Sequence, residues 1–451
     1  MRGTVSLSLL ASALVVNAMA ADSLESMFKE GKASGQIRYF YVDRDYSGDV
    51  SIHRNAMAIG GHLKYETAAW NGVNAGAAFY TTNGLGLRAN KATNSEVDPT
   101  LLGKGNESYS MLGEAYLQYK NGNTTLKGGR QKIDTPLAGS DDARMVPNLF
   151  EAYLLTNSDI KDTAIVAGHI TKFAQGTFGR VYSNGDTYNK FLSVTSGYSL
   201  VDAKNQVGEF VNMGTYAIGD STAGVSVLSA TYTGIKGLKL QVWDYYAHDI
   251  LNAIYAEANY GWSYGNGISP YVGVQWINER DVGSNNANVA YGLNKIESDF
   301  VAAKIGLKVA NFDLSAAISH NTKDADAAVN GGTITPWGGM PAYTQGMVTR
   351  HQFLAGTDAW KVAAGYDWKD YGINLNTSGY YASFDMDRLN GYSHASASEN
   401  SSEFGFDMIY NPQLIKNLQL RFRGNFPRDF QERTSGSFDW DEYRVIANYN
   451  F

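Results

Sequence analysis

Short segments in which apolar and polar side chains alternate recur from near Gly35 to the last residue, and no other feature of the chain limits its fold as strongly. In the terminal YRVIANYNF, Tyr443, Val445, Ala447, Tyr449 and Phe451 share one parity; Arg444, Asn448 and Asn450 share the other, with Ile446 the exception. Side chains alternate between the two faces of a strand, so this segment has an apolar face and a polar one. Met57, Ile59, Leu63 and Tyr65 likewise oppose His62, Lys64 and Glu66, and Met111, Ala115, Leu117 and Tyr119 oppose Glu114, Tyr116, Gln118 and Lys120. Val301, Ala303, Ile305, Leu307 and Val309 oppose Lys304 and Lys308; Trp360, Val362, Ala364, Tyr366 and Trp368 oppose Lys361 and Asp367. Near the C-terminus, Leu418, Leu420, Phe422 and Phe426 oppose Gln419, Arg421, Arg423 and Asn425. Each segment runs about 9–12 residues, the length a tilted strand needs to cross a bilayer.

Two architectures can hold such strands. A soluble sandwich, propeller or solenoid would bury the apolar faces and show a fixed repeat of about 20–50 residues, of which there is no trace. It would also seldom end on an apolar strand, because termini fray. A membrane barrel turns the apolar face to lipid and the polar face to a lumen. Composition fits the barrel: 48 Gly, 30 Tyr and 13% aromatics supply strands and turns, while 8 Pro and 0 Cys are few. Mean hydropathy nevertheless lies below zero, as expected when half of every strand is polar. The net charge of -7 is spread along the chain, and no basic block points to nucleic acid.

The connections carry a second signal. Tight ones (NGN at 121–123, GIKG at 234–237, ANF at 310–312, KDYG at 369–372) largely alternate with long polar ones near 82–108, 134–150, 172–223, 281–297, 321–357, 386–402 and 427–439. Short periplasmic turns alternating with long external loops are the outer-membrane arrangement. AHDILN at 247–252 must then be a short external loop. The expectation is an all-β transmembrane antiparallel barrel of about 18 strands, closed by the pairing of YRVIANYNF with QIRYFYV. Residues 1–20 read as a removable signal: Arg2, an apolar run from Leu7 to Val16 too short for an anchor helix, and Ala18-Met19-Ala20 before the cut. Residues 21–451 form one barrel domain on this reading, in the outer membrane of a Gram-negative bacterium among lipid and lipopolysaccharide. Phe451, a terminal aromatic after an alternating strand, resembles the signal read by the barrel-assembly machinery.

No catalytic residues are expected. None of the seven His lies in an H-E-x-x-H pattern, and neither a G-x-S-x-G elbow nor a P-loop occurs. His62 and His169 could face the lumen, where a His is more often a solvated pore residue than a base. Two other functions compete with a channel: a structural or adhesin barrel, and a barrel enzyme acting on lipid or peptide. Alternation alone turns Lys304, Lys308, Arg421 and Arg423 toward the lumen, where they either steer anions or merely solvate the wall.

GGRQKIDTPLAGSDDARMVPNLFEAYLLTN, from Gly128 to Asn157, runs strand, loop, strand. Gly129-Arg130-Gln131, Pro136, Ser140-Asp141, Arg144, Pro147 and Phe150 resemble the OprD-type outer-membrane channels, as does TPWGGMPAYTQGM at 335–347. The resemblance implies an 18-stranded porin, monomeric or homotrimeric, whose loops 3 and 7 fold into the lumen. It implies a basic wall guiding small hydrophilic solutes, carboxylates in particular, past acids on the loops. Arg130, Arg144, Asp141 and Asp142 carry over by position. Arg130 has the parity of Leu126, so its place in the lumen requires a bulge. No cofactor is expected, although the Asp141-Asp142 pair also suits Ca²⁺.

Overall fold

The computed structural model describes residues 21–48, 51–86, 96–178, 208–265, 267–284, 295–390, 399–433 and 436–451. The expected signal at 1–20 lies outside the described residues.

Strands β1 (Lys32–Gly48), β2 (His53–Glu66), β3 (Val73–Asn83), β4 (Tyr109–Asn121), β5 (Thr124–Gln131), β6 (Leu149–Asn157) and β7 (Thr163–Ala174) form the first part of one sheet. After β8 (Phe210–Asn212) come β9 (Val225–Tyr232), β10 (Leu238–Ala247), β11 (Leu251–Gly261), β12 (Ile268–Asp281), β13 (Glu297–Val309) and β14 (Phe312–Asn321). The sheet continues with β15 (Asp358–Asp367), β16 (Leu375–Asp385), β17 (Asn400–Tyr410), β18 (Leu418–Arg428), β19 (Gln431–Arg433) and β20 (Gly436–Asn450). Neighbours in sequence pair antiparallel, β7 pairs with β9, and β18 pairs with β20. β1 pairs with both β2 and β20, which closes the sheet. Eighteen strands make the barrel; β8 and β19 are three-residue additions beside β7 and β20.

Tight and long connections alternate, and Ala247 pairs with Leu251 across the expected short loop. A short helix, α1 (Leu24–Lys29), precedes β1 at the tight-turn end and packs Met27 against Ala21 and Ala68. A second, α2 (Met213–Ile218), starts on Asn212, whose side chain accepts from the N–H groups of Gly214 and Thr215.

Parity decides the faces. Ile37, Leu63, Leu117, Ile305, Phe422 and Val445 are exposed on one face, while Lys304, Arg423 and Arg444 lie on the other. The exposed apolar side is the one a barrel presents to lipid. Two sequence expectations need correction. Met111 does not share the face of Leu117: the β3–β4 register shifts between Ala78 and Phe79, leaving Gly113 as the extra residue, so Leu112 takes the outer face. A bulge of this kind inverts parity beyond it. Conversely, β5 keeps one register with both neighbours, so Arg130 stays with Leu126 on the outer face. There it lies 3.9 Å from Glu151, which also binds Lys172 at 3.0 Å, and it stacks over Phe210.

Candidate channel lining

The inner face of β1, β17, β18 and β20 gathers arginines. Register places Asp407 beside Arg423, and Arg423 directly beside Arg444. Two like charges so opposed repel, and carboxylates on either side compensate. Asp407 accepts from Arg421 Nε at 2.8 and 3.0 Å, and Arg423 Nε lies 3.2 Å away. Glu442, fully buried, accepts from Arg44 Nη2 at 2.7 Å, from Arg144 Nη2 at 2.9 Å, and from Arg444 Nε. Asp98 meets Arg44 at 2.5 Å. A buried carboxylate left without donors or a cation would be costly.

Arg38 on β1 extends this group. Its Nη1 is 2.7 Å from Asp142, its Nε donates to Asn448 at 2.9 Å, and it also donates to the Arg144 carbonyl. Lys132 reaches the other Asp142 oxygen at 3.0 Å. Burial by itself would raise the Asp142 carboxyl, but Arg38 and Lys132 outweigh it and hold the group well below its usual range. Seven cations (Arg38, Arg44, Lys132, Arg144, Arg421, Arg423, Arg444) thus stand with four carboxylates (Asp98, Asp142, Asp407, Glu442). The local field is positive although the whole chain is acidic.

A second feature crosses β12 to β17. Gly273, Lys304, Ala317, Lys361, Ala382 and Glu403 are successive cross-strand partners on the inner face. The segment at 343–349 follows this row. Lys304 Nζ is 4.1 Å from the Tyr343 ring centre, and Ser319 and Thr344 share a 2.7 Å hydrogen bond. Lys361 donates to the Gln345 carbonyl at 2.7 Å. Glu403, fully buried, accepts from the N–H groups of Met347 at 2.6 Å and Thr349 at 2.7 Å, with Val348 at 3.2 Å. Alanine at 317 and 382 leaves room for the segment between the charged positions. Glu279 on β12 binds the same connection upstream, at Ile334 N, over 2.7 Å.

The connections at 132–148 and 322–357 also bind each other. Arg350 Nη2 meets Asp141 at 3.1 Å, and Gly139 N donates to Trp337 O at 3.0 Å. A Cβ at Gly339 would stand 2.3 Å from Pro136 O, so only glycine permits this approach.

A family model described as "outer membrane porin, OprD family" matches residues 25–451, nearly the whole described chain. The chain belongs to the OprD family of porins. Its place is therefore the outer membrane, and its general role that of a channel. Among solved structures, Pseudomonas aeruginosa OccK9 (OpdG) superposes with a TM-score of 0.73 at 19% identity, covering 94% of this chain and 99% of the other. P. aeruginosa OccK8 (OprE) gives 0.71 at 16% identity, and OpdK with vanillate 0.70 at 16%, with the same coverage. At these identities the likeness concerns the fold. No curated protein sequence matches the chain.

In this porin the residues singled out from sequence take different places. Arg421 and Arg423 come together around Asp407, and Lys304 lies in the row of β12–β17. Lys308 lies near the tight turn at 310–311, 3.4 Å from Asp313, far along β13 from the row. Arg144 is buried against Glu442 and lines no open surface, because its loop is tied down there. Arg130 is on the outer face and belongs to no lumenal wall. Asp141 and Asp142 engage Arg350, Arg38 and Lys132 rather than converging. Among the described residues no group of three or more His, Asp or Glu side chains is arranged to hold a metal ion. Arg38, Asp407 and Glu403 were missed as site residues. Alternation held a signal for all three: Glu403 and Asp407 oppose Phe404, Phe406 and Met408, and Arg38 opposes Ile37 and Tyr39.

Proposed function

We propose that this porin passes small carboxylate-bearing solutes, and that the connections at 132–148 and 322–357 narrow its lumen. The observation that carries the reading is the arginine group, in which, among the described residues, seven cations from the inner wall and the connection at 132–148 stand with four carboxylates. A guanidinium offers a planar fork matched to a carboxylate, and it stays charged at any physiological pH. Arg421 and Arg423 lie two residues apart on β18, about 7 Å along the strand, so a carboxylate can pass between them. Asp142 and Lys132 on the facing connection add charges of both signs, suited to a solute that also bears an amino group. OpdK, similar in fold, was crystallised with vanillate, itself a carboxylate.

The test is a planar-bilayer recording of the purified porin under a salt gradient, followed by uptake of a panel of small carboxylates into liposomes. Anion preference and faster entry of carboxylates than of matched neutral solutes are expected. Cation preference, or equal entry of both solute classes, would overturn the reading.

A further inference from the structure

We propose that Glu403 is a positioning residue for the channel, holding the segment 343–349 over Lys304 and Lys361 so that neither ammonium group is presented to solutes. The inference rests on the reading that the connection at 322–357 borders the solute path. Three consecutive backbone N–H groups, from Met347 to Thr349, converge on the Glu403 carboxylate. Successive amides pointing one way form an anion-binding concavity, and here its anion is a side chain of the wall. The Tyr380 hydroxyl donates to the same carboxylate and accepts from Met347 N at 2.6 Å. Gly346 N donates to Thr349 O at 3.1 Å, closing the turn that presents the three amides.

The consequence follows from register. Lys361, Ala382 and Glu403 are neighbours across three adjacent strands. Fixing the turn on Glu403 therefore fixes Gln345 and Tyr343 a few residues upstream, above Lys361 and Lys304. Lys361 then gives a proton donor to the Gln345 carbonyl and rests 4.3 Å from the Tyr380 ring centre. Lys304 rests against Tyr343. Lys361 thus has a hydrogen-bond acceptor in the segment and Lys304 an aromatic face, where a bare wall lysine would meet only water and solute. Glu403 sets how many cations the channel shows to an anion, without touching that anion.

Two variants reach the contact independently. Glu403→Gln keeps the size but leaves one acceptor oxygen and adds an N–H₂ that opposes the backbone donors. Gly346→Ala keeps the charge and displaces the turn, because its Cβ would stand 2.8 Å from Glu403 Oε2. The first readout is acylation of Lys361 by a small amine reagent in the folded porin, followed by mass spectrometry. Both variants should raise its rate about tenfold, the change expected when one charge-assisted hydrogen bond is lost. The second readout is single-channel recording, where both variants should show noisier open currents and a reversal potential shifted toward anions. Adding Lys361→Met should remove the larger part of that shift. Unchanged acylation in both variants, with heat-modifiable barrel present, overturns the role of Glu403. Raised acylation with wild-type currents supports the latch and overturns instead the reading that this connection borders the solute path.

Discussion

Asp407 sits on β17 among the arginines of the inner face. It lies between Arg421 and Arg423 and answers both, so the pair acts as a partly neutralised unit. Replacing Asp407 with Asn should free both guanidinium groups and increase anion preference in reversal-potential measurements. Replacing Arg421 and Arg423 together with Gln should reduce it and slow carboxylate uptake. If neither changes the reversal potential, the group is wall solvation. A different residue sets a pH dependence of stability. Burial holds the His351 imidazole neutral, its pKa lowered to about 3, with Nδ1 2.7 Å from Ser401 Oγ. Because the folded value lies below the unfolded one, the neutral ring stabilises fully above about pH 6.5, and its contribution is lost as pH falls from there toward 3. The loss should reach on the order of 2 kcal/mol at pH 4.5. The unfolding midpoint followed by heat-modifiability should therefore fall between pH 7.5 and 4.5 in the wild type and vary less in His351→Phe, whatever the variant's baseline.

Strands obey parity except where one residue is added. Ile305 is 64% exposed on the outer face of β13, and Lys304, its neighbour, lies on the inner one. Ile305→Arg should cost about 2–4 kcal/mol near the bilayer midplane and lower the yield of folded barrel, whereas Lys304→Met should fold normally. Equal yields would mean that the faces are assigned the wrong way round. The tight turns allow a second check at this scale. Gly122 and Asp370 lie in two of them, on the end opposite the long connections. Cysteines placed there should resist an impermeant thiol reagent on intact cells, if that end is periplasmic. Ready labelling would invert the orientation. The bulge at Gly113 shows why strand patterns are read segment by segment: one added residue put Met111 inside and Leu112 outside.

At the scale of the whole barrel, closure depends on residues at the two extremes of the chain. Phe451 N donates to Gly35 O at 3.0 Å, and Gly35 N donates to Phe451 O at 2.9 Å. A Cβ at Gly35 would stand 2.7 Å from the Phe451 ring and 2.4 Å from His62 O, so glycine admits the last residue into the seam. Deleting Phe451 removes two hydrogen bonds of the seam and an exposed aromatic. Folded barrel in the outer membrane should fall, with precursor left in the periplasm. Normal surface levels of the shortened chain would leave Phe451 without a part in assembly.

Alternation is a local property, so the sequence alone determined that Val445, Phe422 and Ile305 turn one way and Arg444, Arg423 and Lys304 the other. Long and short connections then implied a closed barrel of about 18 strands, and motif residues from Gly129 to Phe150 pointed to its family. Pairing is not local. Arg44 and Glu442 meet across 398 residues of sequence, and Arg350 and Asp141 across 209. Only the tertiary structure decided that Arg144 is buried, that Arg130 faces outward, and that Asp142 is held between Arg38 and Lys132. It alone brought the turn at 346–349 onto Glu403. A carboxylate is satisfied by whichever donors the fold delivers, and a pattern of two-residue period, which did name the first and last strands as partners, does not say which charged side chains meet across them or across the connections.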